Sequence, residues 1–373
     1  MVIYKRLEEV CDILDSQRIP ITASERTKGV YPYYGANGIQ DYVDDYIFDD
    51  ELVLLAEDGG NFGSTEKPIA YRVSGKCWVN NHAHVLKAKN IIDTDYLCLA
   101  LMFYNTDGLV NGATRQKLTQ KAMRSMIIPV RSREDQQRIK LIIQKVFSLI
   151  ESHKKQIEKL DELIKSRFVE MFGDCKSNPY EWNTVLLEQI ADVGSSKRVF
   201  VEDLKETGIP FYRGTEVGQL SEGKKIKPEL YITREHYQEL IKESGEPQKG
   251  DLLMPSICPD GRIWLVDTDM PFYFKDGRVL WVHNISNRFN STFLLYTLKD
   301  RIMTDYLSVA SGTTFAELKI FALKKCKVFD VPLDLQVSFE KFIISVNRQK
   351  ATVQQSIDKL ETLKKSLMQE YFG

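Results

Sequence analysis

His82 and His84 are the first residues whose types and spacing could do chemistry. On a strand, positions i and i+2 share a face, so the pair could give a metal ion two imidazole ligands. No third ligand stands nearby in sequence, and no metal site is expected. Between Asp41 and Asp58 there are eight acids and no base. Such a run could hold Mg²⁺ through carboxylates, yet no downstream Lys completes a nuclease spacing. Asn178-Pro179-Tyr180 is one proline short of the (Asn/Asp)-Pro-Pro-(Tyr/Phe) motif of amino-methyltransferases, and no glycine-rich cofactor loop accompanies it. It follows a long helical stretch, where Asn-Pro ends helices, and reads as a linker turn. There is no P-loop, no H-E-x-x-H and no G-x-S-x-G. No catalytic set is expected.

Basic residues are clustered instead. From Gly108 to Arg133 there are six bases and no acid: Arg115, Lys117, Lys121, Arg124, Arg131 and Arg133. The second half adds Lys197-Arg198, Arg213, Lys224-Lys225, Lys319, Lys324, Lys325 and Lys327. Local basic segments can grip phosphates although the whole chain is near neutral, because charges act within a Debye length. The balance of 51 Lys+Arg against 52 Asp+Glu over 373 residues excludes a strongly basic nucleic-acid coat. The 43% hydrophobic and 28% charged fractions exclude intrinsic disorder. The six cysteines form no C-x-x-C and are expected to be reduced and buried. No apolar run approaches a membrane span, and Met1 to Leu14 has no apolar signal core. A soluble, cytoplasmic protein is expected.

The elements that must position these residues come in two copies. Residues 112–173 align without a gap on 312–373: Gly112, Thr114, Leu118 and Ala122 meet Gly312, Thr314, Leu318 and Ala322. Gln136, Ile143, Val146, Ile157 and Leu160 meet Gln336, Ile343, Val346, Ile357 and Leu360, and both copies end on Phe-Gly. Upstream, Leu7 to Ile13 resembles Leu187 to Val193, and Tyr31-Pro32-Tyr33-Tyr34-Gly35 resembles Ile209-Pro210-Phe211-Tyr212-Arg213-Gly214. Each half reads as a variable globular domain followed by a better-matched tail.

From Gln136 to Phe172 there is neither Gly nor Pro. A heptad seam runs through Ile143, Val146, Ile150, Ile157, Leu160, Ile164 and Met171, interrupted by His153 and Arg167. The second copy gives Ile343, Val346, Val353, Ile357, Leu360, Leu367 and Tyr371, interrupted by Lys350 and Lys364. Each tail predicts a helix of roughly 54 Å at 1.5 Å per residue. Such a narrow seam cannot bury itself alone, and the simplest arrangement packs one tail against the other. The globular halves are mixed. Leu52–Ala56, Ile69–Val73 and Ala83–Lys87 read as strands, Glu57–Gly63 as a loop, and Thr94–Tyr104 as a helix capped by Asp93 or Thr94. Asp251–Met254, Ile263–Val266, Arg278–Val282 and a helix from about Thr292 repeat that order.

The arrangement resembles the specificity (S) subunit of type I restriction-modification systems over its whole length. The junction Gly112-Ala113-Thr114-Arg115-Gln116-Lys117-Leu118, then Ile127-Ile128-Pro129 and Gln136-Gln137-Arg138-Ile139, carries the resemblance. So do its second copy (Gly312-Thr313-Thr314, Leu318, Val331-Pro332-Leu333, Leu335-Gln336) and the opening Trp182…Leu187-Glu188-Gln189-Ile190, for which the first half offers only Tyr4.

The resemblance implies an α+β fold: two similar mixed α/β target recognition domains separated by two long helices packed as an antiparallel coiled coil, with an internal pseudo-two-fold. The expected boundaries are residues 1–128, 129–173, 174–328 and 329–373. Each domain would read one half of a split target in double-stranded DNA, and the helices would set the spacer; one DNA turn is about 34 Å. Two modification subunits would carry S-adenosylmethionine and adenine methyltransferase activity, restriction subunits would join them, and this chain would bind no cofactor and catalyse nothing.

The expected DNA-binding residues of the first domain are Ser24, Arg26 and Lys28; Tyr33, Tyr34, Gly35 and Asn37; and Thr114, Arg115, Gln116 and Lys117. Those of the second are Ser196, Lys197, Arg198, Arg213, Thr215, Arg262, Thr313 and Thr314. Arg and Gln can pair with guanine and adenine edges, and Lys and Thr suit phosphates. Two other readings compete: a coiled-coil scaffold with two domains for ligands other than DNA, and a self-contained nuclease using the acidic stretch 41–58.

Overall fold

The buried run Leu52-Val53-Leu54-Leu55-Ala56 shows how the first sheet forms. A strand that is apolar at every position needs cover on both faces. Here Val53 and Leu55 join one core while Leu52 and Leu54 join another. The computed structural model describes residues 2–112, 115–304, 306, 310–311 and 316–373. Thr114, Thr313 and Thr314 lie outside the described residues. The chain divides into two compact units, Met1–Gln156 with Val353–Gly373, and Ile157–Thr352.

In unit 1, β1 (Ile3–Arg6) precedes a six-stranded sheet built from β2 (Cys11–Ile13), β3 (Lys28–Gly35), β4 (Gly38–Val43), β5 (Phe48–Ala56), β6 (Ala70–Val79) and β7 (Ala83–Ala88). The sheet order is β2-β7-β5-β6-β3-β4. The expected strands therefore lie in β5, β6 and β7. The expected helix is Thr94–Met102, whose cap Asp93 accepts from the Tyr96 N–H at 3.0 Å. β1 pairs antiparallel with Ile127–Val130 just before the long helix.

Unit 2 keeps this frame and changes its contents. Thr184–Leu186 pairs antiparallel with Lys327–Phe329, as β1 does with its partner. One sheet follows the order Asp192–Gly194, Val279–His283, Leu252–Pro255, Trp264–Leu265, and a second joins Tyr231–Ile232, Ile209–Tyr212 and Tyr273–Phe274. Helices Gly214–Ser221 and Arg234–Ser244 are inserted before Leu252.

The duplication survives at the level of single hydrogen bonds. Gln136 is fully buried; it accepts from Asp93 N at 2.7 Å and donates to the Ile91 and Arg131 carbonyls at 3.1 and 2.9 Å. Gln336 is equally buried; it accepts from Asn290 N at 2.8 Å and donates to the Arg288 and Val331 carbonyls at 3.1 and 2.9 Å. Each amide satisfies groups that would be costly to bury unpaired. Leu118 N donates to the Glu57 carbonyl and Leu318 N to the Ser256 carbonyl, both at 2.7 Å.

The long helices are Arg133–Phe172 and Leu333–Phe372, 40 residues each. In unit 1, Arg131 lies near Tyr371 while Phe147 lies near Lys364. In unit 2, Phe168 meets Phe339 at 5.6 Å and Asp161 meets Lys350 at 2.6 Å. Within each unit the helices therefore run antiparallel. The seam residues Ile143, Val146, Ile150, Leu160, Ile164, Ile343, Val346, Val353 and Ile357 are buried. Ile157, Leu360 and Leu367 are only half-buried, a correction to the uniform seam expected. A second correction is that Phe168 and Phe172, rather than Met171, fill the end of the first helix. An undistorted helix drifts off a strict heptad, and the adjoining domain core offers more apolar surface there. Lys364 breaks the heptad yet is buried, its ammonium 5.7 Å from the Phe103 ring centre and ion-paired to Glu361.

The acidic stretch 41–58 is not one loop, which corrects the geometry assumed for a nuclease. It runs from the end of β4 through β5, and its acids take separate cations: Asp41 with Arg26, Asp50 with Lys87, Glu51 with Arg72, Glu57 with Arg18. None of the six cysteines is in a disulfide, and all six are buried. Asn178-Pro179-Tyr180 lies in a turn, with Asn178 at φ 45°. Among the described residues, no helix is long and apolar enough to cross a membrane.

Candidate nucleic-acid interface

Four segments of unit 1 converge at the C-terminal end of β5. They are the β3–β4 turn, the loop after β5, the β6–β7 turn and the junction before Lys117. Backbone bonds tie them together: Glu57 N to the His82 carbonyl at 2.9 Å and Gly59 N to the Gln116 carbonyl at 3.3 Å. Asn37 donates its amide to the Gly59 carbonyl at 3.0 Å, and Asn61 donates to Asn37 Oδ1 at 3.1 Å. Gly112 (φ +108°) makes the junction turn; a Cβ there would lie 2.3 Å from the Arg115 carbonyl oxygen, so only Gly fits.

Arg115 is the centre of this surface. Its Nη2 is 2.6 Å from Asp58 Oδ1, and the same oxygen is 2.7 Å from His82 Nδ1. The Arg115 side chain is 59% exposed, whereas Asp58 is 16% exposed. A guanidinium braced from behind by a carboxylate keeps free donors pointing outward, the geometry that suits paired hydrogen bonds to a guanine edge. Exposed Asn37 and Gln116 stand beside it and can offer amides to adenine. Lys117 reaches back to Glu57 at 3.0 Å.

Beneath lies a buried ionic layer. His84 Nδ1 is 2.6 Å from Asp15 Oδ2, and its Nε2 is 2.9 Å from the Leu118 carbonyl. Arg18 bonds Glu57 and the Ala83 carbonyl, both at 2.7 Å, and Gln120 bonds Asp15 at 3.1 Å. Burial pushes the Asp15 carboxyl up, but the His84 hydrogen bond and charge, the Val85 N–H and Arg18 outweigh it and hold it below the usual value. Glu57 is likewise lowered: Arg18, Lys117 and His84 overcome its burial. Asp15, Glu57 and His84 have a spacing that could hold a cation. Their lone pairs already face Arg18, Lys117 and Gln120, and both His84 nitrogens are engaged, so the arrangement serves as a balanced support for the loops above. His82 and His84 therefore do not form a metal pair; one turns to Asp58 at the surface and the other to Asp15 in the interior.

The remaining expected residues of unit 1 separate into exposed and buried. Ser24 and Lys28 are exposed. Arg26 stacks on the Tyr33 ring at 4.2 Å and pairs with Asp41 at 3.4 Å. Tyr33 is 1% exposed and bonds the Ile21 carbonyl, a correction to its expected place on the DNA face. Its counterpart in the repeat is Phe211, also buried, so the position is a core ring that happens to carry a hydroxyl. Tyr34 is half-buried against Tyr71, and Gly35 is buried where a Cβ would strike Gln40, a second correction.

In unit 2, Ser196 donates to the Phe274 carbonyl at 2.6 Å, Lys197 pairs with Glu243 at 3.4 Å, and Arg198 stacks on Phe200 at 5.2 Å. Arg213 forks onto Glu216 and reaches Glu229 at 3.0 Å. Arg262 pairs with Asp260 at 2.8 Å and lies over Gly218. Arg213, Thr215 and Arg262 are thereby gathered around one short helix, Gly214–Ser221. Ser196 is anchored instead to the strand Tyr273–Phe274, which pairs with Phe211–Tyr212. Asp58, His82 and Asn61 belong to the surface although none was among the expected DNA-binding residues; for Asp58 and Asn61 the signal was the loop Glu57–Gly63, whose polar residues directly follow the buried strand β5, and His82 stood out only as a metal-ligand type.

Comparison with known proteins bears on this surface. The family described as Type I restriction modification DNA specificity domain matches residues 2–162. A putative type I restriction enzyme specificity subunit of Haemophilus influenzae is 30% identical over 98% of this chain and 89% of its own length. A type I restriction enzyme specificity subunit of Methanocaldococcus jannaschii is 22% identical over 97% and 90%. In fold, the chain is similar to the crystal structure of the type I restriction-modification S subunit from M. genitalium, with a TM-score of 0.58 at 13% identity, covering 100% of this chain and 96% of that one. It is also similar to a chain from a structural study of assembly and conformational transition in a type I system, with a TM-score of 0.54 at 16% identity, covering 100% and 97%.

Proposed function

Because the chain belongs to the DNA specificity subunits of type I restriction-modification systems, we propose that each of its two units reads one half of a bipartite DNA target. The role of the chain is recognition, not catalysis. The observation that carries the half-site reading is the duplicated frame with unlike loops. Gln136 and Gln336 hold the same bonds, while the surfaces around Arg115 and around Gly214–Ser221 share almost no side chain. A common frame with two different reading surfaces fits an asymmetric, split target.

In unit 1, Arg115 is the principal base-reading residue, with Asn37 and Gln116 beside it and Lys117 and Lys28 toward phosphates. In unit 2, Arg213, Thr215 and Arg262 act around the short helix. Two modification subunits bind this chain and carry S-adenosylmethionine; restriction subunits complete the complex. The long helices set the spacer between half-sites. With a net charge of -1, the chain alone grips DNA weakly, and partner subunits supply much of the phosphate contact.

The test is methylome sequencing of cells with the modification subunit, with and without this chain. A bipartite methylated motif that appears only with the chain supports the reading; methylation independent of it would overturn it. Deleting one heptad from both long helices should change the spacer and leave the two half-sites intact.

A further inference from the structure

The backbone bonds that hold the reading surface of unit 1 recur in unit 2 and identify which positions correspond. Glu57 N donates to the His82 carbonyl and Ser256 N to the Arg278 carbonyl, both at 2.9 Å. Ala56 pairs with Ala83 as Pro255 pairs with Val279. Lys117 pairs with Asn111 as Glu317 pairs with Ser311. Arg278 therefore occupies the place of His82, and Glu317 that of Lys117.

The charges at this place are exchanged between the units. In unit 1 the junction supplies the cation, Arg115, and the loop after β5 supplies the carboxylate, Asp58. In unit 2 the junction supplies the carboxylate, Glu317, and the turn before the strand Val279–His283 supplies the cation, Arg278, whose Nη1 bonds Glu317 Oε1. The Arg278 side chain is 59% exposed, as that of Arg115 is, while Glu317 is half-buried.

The turn that carries Arg278 is fixed from below. Gly277 (φ +66°) donates its N–H to Ser195 Oγ at 2.9 Å, and Ser195 Oγ donates to the Val279 carbonyl at 2.7 Å. Lys275 N donates to the Tyr212 carbonyl at 2.9 Å. A guanidinium on a fixed backbone, held by one carboxylate and otherwise exposed, loses little freedom on contact. The Arg278 carbonyl lies 3.4 Å from where a Cβ on Gly214 would stand, which sets Arg278 at the start of the short helix beside Arg213 and Thr215. Arg213, by contrast, is shared between two acids, Glu216 and Glu229.

We infer that Arg278 is the base-reading residue of unit 2, directed at a guanine edge in the second half-site. The inference rests on the half-site reading above and adds the residue that sets specificity in the second half. The fork of an arginine matches guanine O6 and N7 with paired donors, which an ammonium lacks.

The experiment is methylome sequencing of cells that carry the modification subunit with the full chain, wild type or variant. Arg278→Ala should relax one position of one half-site, so that sites with another base there are methylated roughly tenfold more than with the wild type. Arg115→Ala should relax the other half-site. Arg278→Lys should relax the same position as Arg278→Ala, because it keeps the charge and loses the fork. Lys249→Ala removes an exposed base at the other end of the strand Leu252–Pro255 and should leave the motif unchanged. A motif unaltered by Arg278→Ala, or kept in full by Arg278→Lys, overturns the inference; in the second case the residue grips phosphate. So does relaxation of the same half-site by Arg278→Ala and Arg115→Ala. If Arg278→Ala abolishes methylation altogether, Arg278→Lys decides alone. All these outcomes leave the wild-type bipartite motif, and the half-site reading, standing. A wild-type chain that gives no bipartite motif sinks that reading, and this inference with it.

Discussion

Unit 2 seals its helix ends with rings, and unit 1 seals them with a mixture of rings and aliphatic chains. Phe168, Phe172, Phe293 and Phe339 interlock with centroids 4.8–6.3 Å apart. The matching set in unit 1 is Met368, Phe372, Tyr96 and Ile139, and Met368 and Phe372 are only half-buried. One frame thus supports two packings of different tightness. The frame is held by hydrogen bonds that depend on backbone position, while the packing depends on which side chains the rest of each unit supplies.

The largest test of this contrast is truncation of one ring in each unit. Phe172→Ala should cost about 3–5 kcal/mol, because the ring is fully buried, and Phe372→Ala clearly less. Hydrogen exchange of each unit's amides reads the two losses separately; equal losses would erase the contrast. Next come the paired glutamines. Gln136→Leu and Gln336→Leu each strand a backbone N–H and two carbonyls, at about 1–3 kcal/mol per unsatisfied group. Here the two units should respond alike, because the bonds match within 0.1 Å. A large inequality in denaturant midpoints would argue that the frame is not truly duplicated.

On the reading surface, Arg115→Ala should weaken cognate DNA binding about tenfold, a loss of the order of one good bidentate contact. Methylome sequencing should show one half-site relaxed and the other unchanged. Relaxation of neither half would remove Arg115 from the reader.

The smallest effect is a pH contrast. Asp15 sits below the usual carboxylate value, so its contribution to unit 1 is present above that range and is lost as pH falls through its folded value. Asp251 is raised: burial outweighs the Gln248 N–H and the Trp281 indole, which donates at 2.8 Å. Its contribution to unit 2 is present below the usual range and is lost as pH rises through its folded value. Acid strong enough to pass below the usual carboxylate range should therefore loosen unit 1 before unit 2, and Asp15→Asn should flatten that difference in amide exchange. Loosening of unit 2 first would reverse the assignment.

The duplication is legible in the amino-acid sequence because it is a property of order. Gln136 and Gln336, Leu118 and Leu318, and the two Phe-Gly ends align in one dimension. In space, the paired Gln and Leu residues make matching bonds. Tyr33 is harder to place, because a tyrosine in a Gly-Asn-rich stretch looks like a surface ring. Only its burial within the folded sheet, at 1% exposure, shows it facing inward, although the aligned Phe211 hints at it. Asp58 and His82 escape a linear reading because their meeting with Arg115 joins residues 24 to 57 positions apart.

The sequence by itself determined the two-copy plan and the long helices, which follow from repeated residue types and periodicity, and its resemblance to known specificity subunits implied the family. Which acid each basic residue leans on, Glu57 for Lys117, Glu216 for Arg213 and Asp260 for Arg262, was decided only in the tertiary structure. An ion pair depends on distance in space, and the loops that set that distance are where the two halves differ.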